Sequence, residues 1–197
     1  MPDIESPPSA ARLAVDLAGR LEQLGVDYAI GGAVAMTMWC EPRATFDVDV
    51  TLFLDPKQPE YCLQVLRSIG CEIDTAANLA TLRTHGFCRV LCRGRQVDVF
   101  LPTTEFYSFA KHRRHLMSLL GRDVQIWSAE VLSVFKLMFF REKDCLDLKR
   151  LWKAQGSRLD VDWVRKQIIA LCGLHDPRLT EWDEIIAAPA GCVPPAV

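Results

Sequence analysis

Residues 43–50 read RATFDVDV, and within them two carboxylates, Asp47 and Asp49, alternate with Val48 and Val50. Alternation at period two marks a half-buried strand, so the valines share the core face and the aspartates share the other. Two ionised carboxylates on one face repel each other and are heavily penalised when desolvated alone. They call for a common cation. Asp98, in RQVDVF (residues 95–100), repeats the pattern between Val97 and Val99. A neighbouring strand would bring this third carboxylate beside the first two, and three hard oxygen donors suit one or two Mg²⁺ ions.

Upstream, VDYAI (residues 26–30) reads as a strand running into Gly31-Gly32, after which AVAMTMW (residues 33–39) starts a helix that Pro42 interrupts. Glycines at such a turn let the backbone approach a ligand, and the N–H groups that open the next helix favour an anion. Magnesium usually shares its shell with waters and substrate phosphates. Carboxylates, metal and phosphate turn together indicate phosphoryl or nucleotidyl transfer.

Further out, Leu13, Leu17, Leu21 and Leu24 recur at helical spacing before Gly25, predicting an amphipathic first helix. TFDVDVTLFL (residues 45–54) is a strand and PEYCLQVLRSIG (residues 59–70) a short helix bounded by proline and glycine. GFCRVLCR and RQVDVFLP, joined through Gly94, form a hairpin. From Ser128 the character changes: SAEVLSVFKLMFFREKDCLDLKRLWKAQG has no proline, an N-cap serine and a terminal glycine, and predicts one long helix or two joined at a kink. Residues 160–174 and 178–186 are helical as well, with a frayed tail beyond. The plan is an α/β half over residues 1–127, a mixed sheet with flanking helices, and a helical subdomain over residues 128–197 that completes the active site.

Half of the 197 residues are hydrophobic, enough for a proper core. The net charge of −2 announces no global positive field, although a local basic face is compatible with it. Of eight cysteines the closest pair, Cys88 and Cys92, has neither zinc-knuckle nor disulfide-framework spacing. They read as reduced, mostly buried thiols. The N-terminus lacks a basic region followed by an apolar block, and no apolar run approaches the roughly 20 residues that span a bilayer. A cytoplasmic protein with no membrane partner is expected.

GGAVAMTMW, RATFDVDV and VDVF, in that order, resemble the signature of the DNA polymerase beta-like nucleotidyltransferase superfamily. SAEVLSVFKLMFFREKDCLDLKRL is similar to the segment of its AbiEii-type branch in which a lysine precedes Arg-x-Lys-Asp and Asp-Leu, a branch that includes toxins of toxin–antitoxin systems. The resemblance covers roughly residues 26–155. It implies that Asp47 and Asp49 bind metals and triphosphate, and that Asp98 binds the catalytic metal and helps deprotonate an acceptor hydroxyl. Gly31 and Gly32 would cradle phosphates, with Gly32 standing where the Gly-Ser version of the motif carries a hydroxyl. Lys136, in the apolar run VLSVFKLMFF, must reach a triphosphate or a carboxylate, since an unpaired ammonium is costly to bury. Lys136, Lys143 and Asp147 fall on one helical stripe at this spacing. The resemblance turns that stripe toward nucleotide phosphates, and Arg43 is given the same task.

Taken singly, an Asp-x-Asp pair is most often a solvated edge and Gly-Gly a plain turn. The ordered set favours catalysis. Glu142, Asp144, Lys149 and Arg150 read as a solvated face of ion pairs. KHRRH (residues 111–115), with Arg83, Arg89, Arg93 and Arg95, is either a solvated loop or a phosphate-tracking surface for RNA. No catalytic role falls to the four histidines, the cysteines or the five tryptophans. The expected activity is Mg-dependent transfer of a nucleoside monophosphate from an NTP, such as ATP, to a hydroxyl of tRNA, a protein or a small molecule. A cognate antitoxin is an expected partner of the toxin-like form. The rival is a non-catalytic nucleotide-binding or regulatory module of the same fold, against which three retained, mutually repelling carboxylates argue.

Overall fold

In the computed structural model, which describes residues 7–190, Ser9 opens the first helix by accepting a hydrogen bond from the Arg12 amide. Helix α1 (Ala10–Gln23) buries Leu13, Leu17 and Leu21. Leu24 caps it and is half-exposed, so the buried stripe is one residue shorter than its spacing predicts. Most of the expected frayed tail lies outside the described residues.

Strand β1 (Tyr28–Ile30) leads through Gly31 into α2 (Gly32–Met36), shorter than the helix expected to reach Trp39. Helix α3 (Pro59–Ser68) follows as predicted, whereas strand β2 (Val48–Leu52) is half as long as expected for residues 45–54 and leaves Asp47 just ahead of it. A two-residue strand β3 (Cys71–Glu72) and helix α4 (Thr75–His85) then occupy a stretch the sequence left unread. Helix α4 carries local signals: the Asp74 carboxylate accepts from the Ala77 amide, and Gly86 ends it in the left-handed region. The hairpin of β4 (Phe87–Cys92) and β5 (Arg95–Phe100) turns through Arg93 and Gly94, both at positive φ.

Helix α5 (Phe106–Lys111) precedes a second hairpin, β6 (Arg114–Leu119) and β7 (Arg122–Trp127). KHRRH is therefore the end of a helix and the start of a strand, not one loop. Ser128 caps α6 (Ala129–Phe139) as expected, and the chain then breaks at Phe140, which takes a left-handed conformation, before α7 (Glu142–Gln155). Beyond a short 3-10 turn (Gly156–Arg158) lie α8 (Val161–Cys172) and α9 (Pro177–Ala187). No described helix is long and apolar enough to cross a membrane.

Two compact units result. The first comprises the described residues up to Val34 together with Ala44–Ile126; the second comprises Ala35–Arg43 and the described residues from Trp127. The strands form one mixed sheet in the order β3-β4-β5-β2-β1-β7-β6. β2 pairs parallel with β5, and antiparallel with β1. Val48, Val50, Val97 and Val99 are buried on the core face, as the alternation requires. In the second unit, Trp39 Nε1 donates to the Trp127 carbonyl at 2.9 Å, and Gln155 donates to the Trp39 carbonyl, which ties residues 35–43 to the helices.

Candidate active site

The pairing of β2 with β5 sets Asp49 beside Asp98, and the pairing of β4 with β5 sets Arg89 opposite Asp98. On the other side of β2, the Gly31 amide donates to the Asp49 carbonyl at 2.8 Å. Four adjacent strands or strand ends thus place Arg89, Asp98, Asp49 and Gly31 in one row. Asp47, two residues before Asp49 and just ahead of β2, extends the carboxylate face, and Thr45 Oγ1 donates to its Oδ1.

Gly32 is the close neighbour of this row. Its φ is +55°, and a Cβ added there would lie 1.7 Å from Asp49 Oδ2. The carboxylate of Asp49 fills the space a side chain would take. Serine, the residue of the Gly-Ser motif, does not fit here unless Asp49 moves.

Asp98 is buried and fully engaged. Arg89 Nε donates to its Oδ1 at 2.8 Å and Arg89 Nη2 to its Oδ2 at 3.0 Å, while Gln96 Nε2 reaches Oδ1 at 3.2 Å. The bond to Asp98 pushes the Arg89 guanidinium further above its already high range; burial opposes this, and the charges of Asp98, Asp47 and Asp49 add to it. Among the described residues no three carboxylate, imidazole or thiol side chains converge as a metal cage. The donor types nevertheless fit a hard divalent cation: Asp49 and Asp98 are side by side on β2 and β5, and Asp47 lies just ahead of β2.

The second unit holds a buried ionic cluster. Lys136, 7% exposed, donates to Asp144 Oδ1 at 3.1 Å and to Asp147 Oδ2 at 2.8 Å. Arg43 clasps Asp147 with two bonds of 2.9 and 3.0 Å, and Arg141 Nε holds Asp144 Oδ2 at 2.6 Å. Burial alone would raise the pKa of both carboxyls, but hydrogen bonds and charges from these cations hold them below the usual carboxylate range. Of the two partners the sequence leaves open for Lys136, the structure shows carboxylates. Arg43 shares one of them.

Lys143 is exposed on α7. The single stripe expected for Lys136, Lys143 and Asp147 is absent because the helix does not continue through Phe140. Asp144, read from the sequence as part of a solvated face, is wholly buried and also accepts from the Arg141 amide at the start of α7. The charged residues on either side of it concealed it, and the helix-start pattern of an acid at the third position was the available signal.

Arg89 was legible only as one of several basic residues. The others are occupied too: Arg83 by Glu60, Lys111 and Arg114 by Asp27, and Arg95 by the carbonyls of Pro8 and Phe46. Arg93 is held by Asp16 at 2.6 Å and lines, with Arg12, Arg20 and Arg122, a cavity of about 450 Å³ that contains none of the three aspartates. Among the described cysteines all seven are free, and Cys62, Cys71, Cys88 and Cys92 are buried, as expected of reduced thiols. Burial pushes the Cys62 and Cys88 thiols up to about 12, so neither is poised as a nucleophile.

No protein-family model matches the chain, and no curated protein matches its sequence. Among solved structures, that of the antibiotic-resistance factor ANT(2'')-Ia in solution aligns with a TM-score of 0.59 over 82% of this chain and 91% of that one, at 11% identity. The fold is that of a nucleotidyltransferase. The crystal structure of ANT(2'')-Ia with adenylyl-2''-tobramycin gives a TM-score of 0.57 at 12% identity, over 82% of this chain and 97% of that one. An antigenic nucleotidyltransferase-like protein from Paracoccidioides brasiliensis aligns over 95% of this chain and 97% of its own, with a TM-score of 0.47 and 15% identity. At such identities the likeness speaks for the nucleotidyltransferase fold alone and does not single out the AbiEii-type branch.

Proposed function

We propose that this chain transfers a nucleoside monophosphate from an NTP to an acceptor hydroxyl, with release of pyrophosphate. The observation that carries the reading is the carboxylate row, Asp49 beside Asp98 with Asp47 two residues away, set against the Gly31-Gly32 turn in a nucleotidyltransferase fold. Asp47, Asp49 and Asp98 would hold one or two Mg²⁺ ions, which supply charge neutralisation for the attacking and leaving oxygens when bound. Asp98 then accepts the proton of the acceptor hydroxyl, and the phosphate chain approaches the backbone at the Gly31 side of the turn, the space beside Gly32 being taken by Asp49. Lys136 and Arg43 are both spent on Asp147, so no phosphate contact is proposed for either.

A small-molecule hydroxyl is the preferred acceptor. The ANT(2'')-Ia structure was solved with an adenylylated tobramycin, and most of the basic residues that a tRNA would need already have intramolecular acceptors. ATP is the preferred donor and the cytoplasm the expected setting. The tRNA-modifying, antitoxin-inhibited form is the second acceptor reading, and a protein acceptor the third. The rival from another class, a non-catalytic nucleotide-binding module, draws on the full engagement of Asp98 by Arg89.

The test is incubation with each α-labelled NTP and Mg²⁺, offering an aminoglycoside panel, total tRNA and lysate protein in parallel, with Asp49→Asn beside every reaction. Label in the small-molecule arm that disappears in the variant supports the reading. Label confined to tRNA or protein reassigns the acceptor, and nucleotide binding without label in any arm favours the non-catalytic module.

A further inference from the structure

The guanidinium of Arg89 meets both oxygens of Asp98, at 2.8 and 3.0 Å, and lies within the field of Asp47 and Asp49. Three carboxylates that repel one another therefore already have one cation supplied by the chain. The two partners differ in freedom. Asp98 is buried and also held by Gln96, whereas the Arg89 side chain is 58% exposed, with the Phe87 ring centroid 6.0 Å from its guanidinium carbon. The exposed fork can swing into water, but the buried Asp98 charge it uncovers then needs a replacement cation.

The backbone under Arg89 does not share that freedom. Asn78 Nδ2 donates to the Arg89 carbonyl at 2.8 Å, and the two-residue turn at Arg93-Gly94 sets the register of β4 against β5. Any exchange is thus confined to the side chain. With both Asp98 oxygens facing Arg89, Asp98 is closed to a metal until the guanidinium withdraws.

We infer, resting on the nucleotidyl-transfer reading, that Arg89 is the resident counter-ion of the carboxylate row: it orients Asp98 in the metal-free protein and is displaced when a divalent cation binds. Arg89 is then a positioning residue that sets metal affinity by competition. A lysine would retain the charge without the two-pronged fit, and a glutamine would retain the shape without the charge.

The experiment measures Mn²⁺ binding by calorimetry in the absence of nucleotide, for the wild type, Arg89→Gln, Arg89→Lys, Asp98→Asn and Asp49→Asn, each first shown to melt as the wild type does. Arg89→Gln is expected to bind Mn²⁺ about three- to tenfold tighter than the wild type, Arg89→Lys to stay near it, and both aspartate variants to bind more weakly. Unchanged or weaker binding in Arg89→Gln, with the aspartate variants still impaired, overturns the counter-ion role and leaves the metal reading of the site standing. Binding that none of the four substitutions alters overturns both. As a readout independent of affinity, the Arg89 Nε–H resonance is expected to shift and to exchange faster with solvent on addition of Mg²⁺; a resonance unmoved at saturation contradicts displacement.

Discussion

The carboxylate of Asp49 sits where a side chain of Gly32 would have to be, with Oδ2 1.7 Å from the position of a Cβ. Gly32 opens α2 and Asp49 lies within β2, and the two are locked by mutual exclusion: the backbone at 32 can take its positive φ and Asp49 can lean over it only while residue 32 is glycine. Gly32→Ser, which restores the hydroxyl of the resembling motif, is therefore expected to lower stability by about 1–3 kcal/mol. It should also reduce transfer by about a hundredfold through displacement of Asp49. Urea denaturation and initial-rate assays check the two effects; a serine variant as stable and active as the wild type refutes the exclusion.

The ionic cluster of the second unit makes a separate prediction. Asp147→Ala leaves Arg43 and Lys136 facing a gap, and removal of one partner from a buried pair costs about 3–5 kcal/mol. All five tryptophans, Trp39, Trp127, Trp152, Trp163 and Trp182, lie in this unit. Tryptophan fluorescence in urea therefore reports its unfolding directly, and an unchanged midpoint would count against the cluster as a structural element.

The same cluster sets the acid response. Asp144 and Asp147 have folded pKa values below their unfolded ones, so in acid the unfolded chain binds more protons and stability falls with pH. Their contribution is complete above the ordinary carboxylate pKa of about 4 and is lost as pH drops below it, through the depressed folded values. The fluorescence midpoint in urea should be flat from neutrality to about pH 5 and fall steeply below about pH 4. The fall should be shallower in a Asp144→Asn, Asp147→Asn double variant.

Lys136 and Lys143 should behave oppositely. Lys143→Ala, on an exposed face, is expected to change stability by no more than about 0.5 kcal/mol, whereas Lys136→Met removes the buried ammonium that Asp144 and Asp147 share, leaving each with its arginine partners alone, and should cost several-fold more. If Lys143→Ala nonetheless raises the KM for NTP at constant stability, the phosphate role expected from the sequence is reinstated for that residue alone.

The strands were legible where burial imposed alternation, and β2 and β5 lie where their valines place them. The stretch from Cys71 to His85 was not, because α4 has apolar and polar residues on all sides and its only strong marks are the Asp74 cap and the Gly86 stop. A break into two helices was one of the two readings of the stretch from Ser128, but its position at Phe140 was hidden, since a left-handed phenylalanine has no local signature. Arg89 is the instructive case. Once Arg93-Gly94 is taken as a two-residue turn, counting back pairs Cys92 with Arg95 and hence Arg89 with Asp98. The partner of the third carboxylate was present in the hairpin's arithmetic, although charge composition alone did not distinguish it.

The row of Arg89, Asp98, Asp49 and Gly31 has one more consequence. Because side chains alternate, a slip of a single residue between β2 and β5 would put Val97 or Val99 beside Asp49 and send Asp98 into the core. No intermediate pairing leaves a weakened site. Molecules with a misaligned sheet would be silent rather than sluggish, so the specific activity of a preparation would count the fraction of chains that have paired correctly, and refolding could be followed by function as faithfully as by spectroscopy.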